Sequence, residues 1–108
     1  MSTEFMTKMQ KIIVALYRRD YNGQISWVQD SQIPSLFHTE VAGYNLNMQE
    51  YDDGGIAFSI FDASGTLLES TNSMYQSHTM LPELYSQVRY RVLNIEKQID
   101  ELLAYLEK

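Results

Sequence analysis

Between Leu81 and Leu106 the residues Leu81, Tyr85, Val88, Val92, Ile95, Ile99, Leu102 and Leu106 recur at spacings of 4, 3, 4, 3, 4, 3 and 4. This is an unbroken a/d heptad, and side chains at this spacing fall on one stripe of an α-helix. Pro82 suits the first helical turn, where its missing N–H is not needed. No Gly or Pro follows it, so the pattern predicts one long helix that runs to the end of the chain. The 27 residues from Leu81 to Glu107 would span roughly 40 Å at 1.5 Å per residue.

The rest of the 108-residue chain is too small to cover such a helix. Strands of five to seven residues reach only about 17–23 Å, and a compact chain of this size has a radius of gyration of about 13 Å. The sheet can shield about half of the helix. Yet the second half stays apolar, with Ile95, Ile99, Leu102, Leu103 and Leu106. Pairing of that stripe with a second copy through a two-fold interface is the expected solution, with Tyr90, Ile95, Ile99, Leu102, Leu103 and Leu106 as its residues. The alternative is a helix that bends or breaks and folds back onto its own sheet.

Ahead of this helix the pattern reads α-β-β-β-β-β. Thr7 and Gln10 have capping-box spacing, so a first helix is expected from near Thr7, extendable back to Thr3. Met1 to Phe5 is compatible with a leader before a natural start at Met6. Met9, Ile12, Ile13, Leu16 and Tyr17 form the apolar stripe. Arg18 and Arg19 complement the dipole of the last turn, and Asn22-Gly23 ends the helix because both tolerate left-handed backbone angles.

Five strand-like segments follow. Gln24 to Val28 is the first, with Ile25 and Trp27 on one face. Residues 30–35 form a loop. Leu36 to Val41 and Tyr44 to Tyr51 form a hairpin around Ala42-Gly43. A two-residue loop pairs Val41 with Tyr44, Thr39 with Leu46 and Phe37 with Met48, one largely apolar face. After the turn Asp52-Asp53-Gly54-Gly55, the residues Ile56, Phe58 and Ile60 alternate with Ala57, Ser59 and Phe61. A four-residue turn, Asp62-Ala63-Ser64-Gly65, leads into Thr66 to Ser70 and sets Leu67 against Ile60 on the core side. Phe61 and Leu68 lie on the other side. Thr71 to Thr79 is a polar loop.

Hairpin-length connections imply an antiparallel meander. The expected fold is therefore α+β: an antiparallel five-stranded meander flanked by an N-terminal helix and a long C-terminal helix packed on one face, a two-layer sandwich in a single domain over residues 1–108. Trp27, Phe37, Leu46, Phe58 and Ile60 are its expected core, with Tyr44 and Tyr85 joining it. Hydrophobic residues make up 44% of the chain, enough for one core, and charged residues 20%, so wholesale disorder is not expected.

The chemistry-bearing residues do not assemble into a motif. The chain has no Cys, which removes disulfides, thiolate metal sites and Cys nucleophiles. His38 and His78 are the only histidines. His38 alternates with Phe37 and Thr39 and should point away from the core, and neither histidine stands in a zinc-binding spacing. Asp52-Asp53-Gly54-Gly55 lacks the alternating ligands of a calcium loop and reads as a turn. Ser64-Gly65 sits in a hairpin rather than in a strand–turn–helix elbow. Phosphate-cradling glycine motifs do not occur. No metal, cofactor or catalytic residue is expected.

A net charge of −6 disfavours binding to phosphate backbones, so no nucleic-acid partner is expected. Arg18-Arg19 and Arg89-Tyr90-Arg91 read as solvated helix faces. No apolar run approaches the roughly 20 residues that span a bilayer, and Lys8, Gln10 and Lys11 interrupt any signal-peptide core. A cytoplasmic protein without a membrane partner is the expectation. Tyr51, Tyr75, Tyr90 and Tyr105 fit no core stripe. They read as half-buried edge residues or as a recognition surface.

The stretches Gly23-Gln24-Ile25-Ser26-Trp27, Val41-Ala42-Gly43-Tyr44-Asn45-Leu46, Ile60-Phe61-Asp62-Ala63-Ser64-Gly65-Thr66-Leu67-Leu68 and Leu84-Tyr85-Ser86-Gln87-Val88-Arg89 together resemble a recurrent type of small bacterial domain of unknown function. The resemblance implies the fold and a bacterial setting, and carries no activity with it.

Three functions follow as expectations. The first is a non-catalytic protein–protein interaction or adaptor domain that self-associates through its C-terminal helix. The second is a small-ligand-binding protein or enzyme using the second sheet face, where Phe61 and Leu68 neighbour His38. The third is an acidic inhibitor or immunity-type partner of another bacterial protein. The heptad and the tyrosines favour the first.

Overall fold

The computed structural model describes residues 3–74 and 80–108, with side chains from residue 8 onward. Its elements run α1 (Thr3–Tyr21), β1 (Val28–Gln29), β2 (Leu36–Val41), β3 (Tyr44–Glu50), β4 (Ile56–Phe61), β5 (Leu67–Asn72), α2 (Met80–Val92) and α3 (Ile95–Leu106). The strands form one antiparallel sheet in the order β1-β2-β3-β4-β5. This is the α+β meander that the hairpin spacings predict. No helix among the described residues is long and apolar enough to cross a membrane.

The central hairpin has the expected register, with Val41 opposite Tyr44, Thr39 opposite Leu46 and Phe37 opposite Met48. Its turn needs two positive φ angles, which Ala42 (53°) and Gly43 (86°) supply. Those angles match the right-handed twist of the flanking strands. Period-two alternation then places Phe37, Thr39, Leu46, Met48, Ile56 and Phe58 on one face, where all are buried. Ile60 is half-buried against the same core.

Both helices lie over that face and share one hydrophobic cluster with it. Met9, Ile13 and Leu16 come from α1, and Leu81, Leu84, Tyr85 and Val88 from α2. The stripe of α1 ends on a charge, because Asp20 is only 1% exposed. Around it, Gly23 (φ 74°) closes α1 with two hydrogen bonds of Schellman type. Gln24 N donates to Arg19 O (2.8 Å) and Gly23 N to Asp20 O (3.0 Å). Phe37 and Tyr85 meet edge to face, with ring centroids 5.5 Å apart. Among the described residues, the buried indole N–H of Trp27 has no acceptor.

Five expectations need correction. The first strand is shorter than Gln24 to Val28. Ile25 and Trp27 are buried, but only Val28 and Gln29 join the ladder. The last strand runs Leu67–Asn72 rather than Thr66 to Ser70. Leu67 pairs with Phe61, not Ile60, because a bulge lies between the Ile60·Glu69 and Phe61·Leu67 pairs. One extra residue shifts every side chain on one side of it to the opposite face, so Leu67 stands exposed at 53%. Tyr44 flanks the hairpin turn and is exposed rather than core. α1 starts at Thr3, the extended form of the first helix that the sequence allowed. The loop reading at residues 75–79, with Tyr75 and His78, lies outside the described residues.

The fifth correction is the largest: the C-terminal helix is not continuous. It breaks between α2 and α3 at Leu93-Asn94. Asn94 takes the left-handed conformation, φ 53° and ψ 44°. Asn adopts that region more readily than other non-glycine residues, because its short polar side chain can hydrogen-bond locally. The break satisfies its own backbone. Leu93 N donates to Arg89 O (3.0 Å), Asn94 N to Arg91 O (3.1 Å) and Gln98 N to Asn94 O (3.0 Å). The Gln98 side-chain amide donates to the Leu93 carbonyl. Nor does the chain fold back on its sheet, since no residue of α3 is buried. The radius of gyration is 15.5 Å and the extents are 58 × 29 × 28 Å, against about 13 Å for a compact chain of this length.

Tyr85 ties α2 to the β1–β2 loop, its hydroxyl donating to Ser35 O at 2.6 Å. Burial, and secondarily the Glu50 carboxylate, push this phenol above its ordinary value of 10. Folding thus favours the protonated form. Its contribution is present below pH 10 and lost as pH rises through the raised folded-state value. Urea titrations at stepped pH should show stability falling above pH 10, and falling less steeply in Tyr85→Phe. Equal slopes in the two proteins would contradict this.

Candidate interaction surface

In α3 a residue advances by about 100° around the axis, so Ile95, Ile99, Leu102, Leu103 and Leu106 share an arc roughly 100° wide. Ile95 is half-buried. The other four are open, at 53% for Ile99, 58% for Leu102, 52% for Leu103 and 67% for Leu106. Tyr105 borders the stripe and is also exposed. Lys97, Glu101 and Lys108 lie away from it. Glu96 stands at its edge in the first turn, where a carboxylate suits the helix dipole.

The elbow between α2 and α3 encloses an open groove of about 850 Å³, lined in part by Tyr21, Gln87, Tyr90, Arg91, Lys97 and Asp100. The polar side of α3 faces this groove, and the apolar stripe points elsewhere. The structure therefore does not bring Tyr90 to the other residues expected at the interface. Tyr90 lines the groove with Tyr21, and, five residues before Ile95, it stands about 140° around the axis from that residue even on a straight helix.

Below the groove, Asp20 holds the end of α1 against α2. Its carboxylate accepts from Arg91 Nη1 (2.7 Å) and Gln87 Nε2 (2.8 Å), and Gln87 Nε2 also donates to Tyr17 O (3.1 Å). Sequence reading missed Asp20. Its signal is spacing, since Met9, Ile13, Leu16 and Asp20 continue a 4-3-4 stripe.

The remaining candidates serve turns. Asp30 accepts from the N–H groups of Gln32 (2.9 Å) and Ile33 (2.8 Å). These bonds, and lastly His38 3.9 Å away, hold its carboxyl below the usual range. Asp62 is likewise lowered, first by the Ser64 hydroxyl at 2.6 Å and then by the Thr66 N–H. Asp53 accepts from Gly55 N at 2.8 Å inside its own hairpin turn. On the second sheet face His38 stands in a row with Asn47 and Ser59, while Phe61 stands in the next row with Asn45 and Leu67. Among the described residues no group of three or more His, Cys, Asp or Glu side chains is placed to hold a metal ion.

Comparison with protein families, curated proteins and solved structures finds no match to this chain.

Proposed function

We propose that this chain is a non-catalytic protein–protein interaction domain that self-associates through α3. The observation that carries the reading is the helix itself: twelve residues with an apolar stripe and no buried side chain. Fully burying a Leu or Ile is worth about 1.5–3 kcal/mol. Ile99, Leu102, Leu103 and Leu106 each leave more than half of that unrealised. A short helix in water is marginal on its own, and most helical stability in proteins comes from packing of an amphipathic face.

A second copy suits the stripe electrostatically. The chain carries a net charge of −6, which opposes self-association in general. Along α3, however, the borders of the stripe hold Glu96, Gln98, Leu103 and Tyr105, so Glu96 is the only charge there. Glu101 lies behind, and Glu107 follows the last residue of α3.

Light scattering tests the reading. The parent is expected at twice its 12.6 kDa chain mass. Ile99→Asp with Leu102→Asp should give single-chain mass with the fold of the body retained, because neither residue belongs to the core. A monomeric parent at micromolar concentration would overturn the proposal. So would a folded double variant that stays dimeric.

A further inference from the structure

We propose that α3 meets its own copy antiparallel, with Ile95 opposite Leu106 and Ile99 opposite Leu102 of the second chain. This inference rests on the self-association reading above and adds the orientation and the register.

The register follows from the a/d pattern. Ile95 and Leu102 hold d positions, and Ile99 and Leu106 hold a positions. In an antiparallel pair, a meets d across the seam. The Ile95–Leu106 and Ile99–Leu102 pairs share one midpoint along the helix, so one two-fold axis satisfies all four layers. The same axis sets Glu96 beside Leu103 and Gln98 beside Tyr105 of the second chain. No charge then faces a like charge along the borders. The Glu96 stem can lie over Leu103. Tyr105, 70% exposed in one chain, gains ring cover while its hydroxyl stays at the rim.

The shape of the protomer selects this orientation over a parallel one. Helices in contact lie 8–10 Å apart, whereas the molecule measures 29 × 28 Å across its long axis. Parallel pairing brings both bodies to the same end of the helix pair. That end is occupied already, since Ile95 is half-buried and Glu96, Lys97 and Asp100 border the groove against Tyr21 and Tyr90. Antiparallel pairing presents Ile95 with the tip of a helix instead, and sets the bodies at opposite ends. The twelve residues of α3 extend roughly 18 Å. Two oppositely directed helix dipoles also attract at their ends.

The chain has no cysteine, so introduced thiols report the register directly. Ile95→Cys and Leu106→Cys are made as separate chains, mixed in equal amounts and oxidised mildly with diamide. Disulfide-linked species are then identified by intact mass. The expected product is the mixed disulfide, at least tenfold over either like-with-like product. In the antiparallel pair, two copies of residue 106 stand eleven residues apart along the seam, about 16 Å at 1.5 Å per residue. That is beyond the Cα separation a disulfide allows. Predominance of the two like-with-like disulfides would overturn the orientation and leave self-association standing. Dimeric mass without any disulfide would place the contact elsewhere and overturn the register. Monomeric mass of the parent would overturn the self-association reading itself. Circular dichroism of both variants confirms the folded body, which neither substitution touches in its buried core.

Discussion

Phe58→Ala is expected to lower the unfolding free energy by about 3–5 kcal/mol, as large-to-small changes do where the site cannot collapse. Phe58 has no exposed surface. It stands on β4 between Met48 and Thr71 on the adjoining strands, and helix α2 packs on β4 from above. The surrounding side chains are anchored from separate elements: Phe37 by its edge contact with Tyr85, Met48 by the central hairpin, and Leu84 and Val88 by the helix. Small domains have only about 5–15 kcal/mol of net stability, so the variant should unfold early in urea, and its melting temperature should fall by more than 10 °C. A measured loss below about 1 kcal/mol would place Phe58 outside the core and overturn the register of β4 against β3.

Arg91→Met is the second substitution with a large expected effect. Asp20 is 1% exposed and its carboxylate is met by one guanidinium and one amide. Removing the guanidinium leaves a buried charge with a single neutral donor. Breaking a fully buried pair costs about 3–5 kcal/mol. Arg91 is 43% exposed, so the nearby solvent offsets part of this and about 2–4 kcal/mol is expected. The diagnostic result is recovery. Asp20→Leu added to Arg91→Met replaces the pair with apolar side chains of similar shape and should restore most of the loss, as buried ion pairs generally permit. A double variant no more stable than Arg91→Met alone would show that Asp20 and Arg91 act independently. The pair sets where α1 ends against α2. It thereby shapes the groove beside the elbow, which contains Arg91 itself.

Where neighbouring residues in the chain set the geometry, the sequence was sufficient. Ala42-Gly43 between two alternating segments specifies a two-residue loop. That loop places Phe37 against Met48 and Thr39 against Leu46, and a slip of one residue would turn the apolar set to solvent. The 4-3 spacing within Met9 to Leu16 and within Leu81 to Val88 likewise names the faces that become core. Even the amphipathic stripe of α3 was legible. What periodicity did not convey was the bulge that turns Leu67 outward, or that the acid ending the α1 stripe finds a cation 71 residues away.

The elbow at Asn94 marks the boundary between the two kinds of information. The heptad runs through Val92, Ile95 and Ile99 without a gap, so a local pattern predicts one straight helix. The backbone instead turns at Asn94, a residue that accepts the left-handed region at small cost. The chain itself therefore determined which residues of the last helix are apolar, how they are spaced and which of them border the stripe. Only the tertiary structure decided where the body ends, and hence that Leu81, Leu84 and Val88 are shielded while Ile99, Leu102 and Leu106 are not. Periodicity is a property of neighbours three and four residues apart, whereas shielding depends on surfaces contributed by distant segments, here α1 and the sheet.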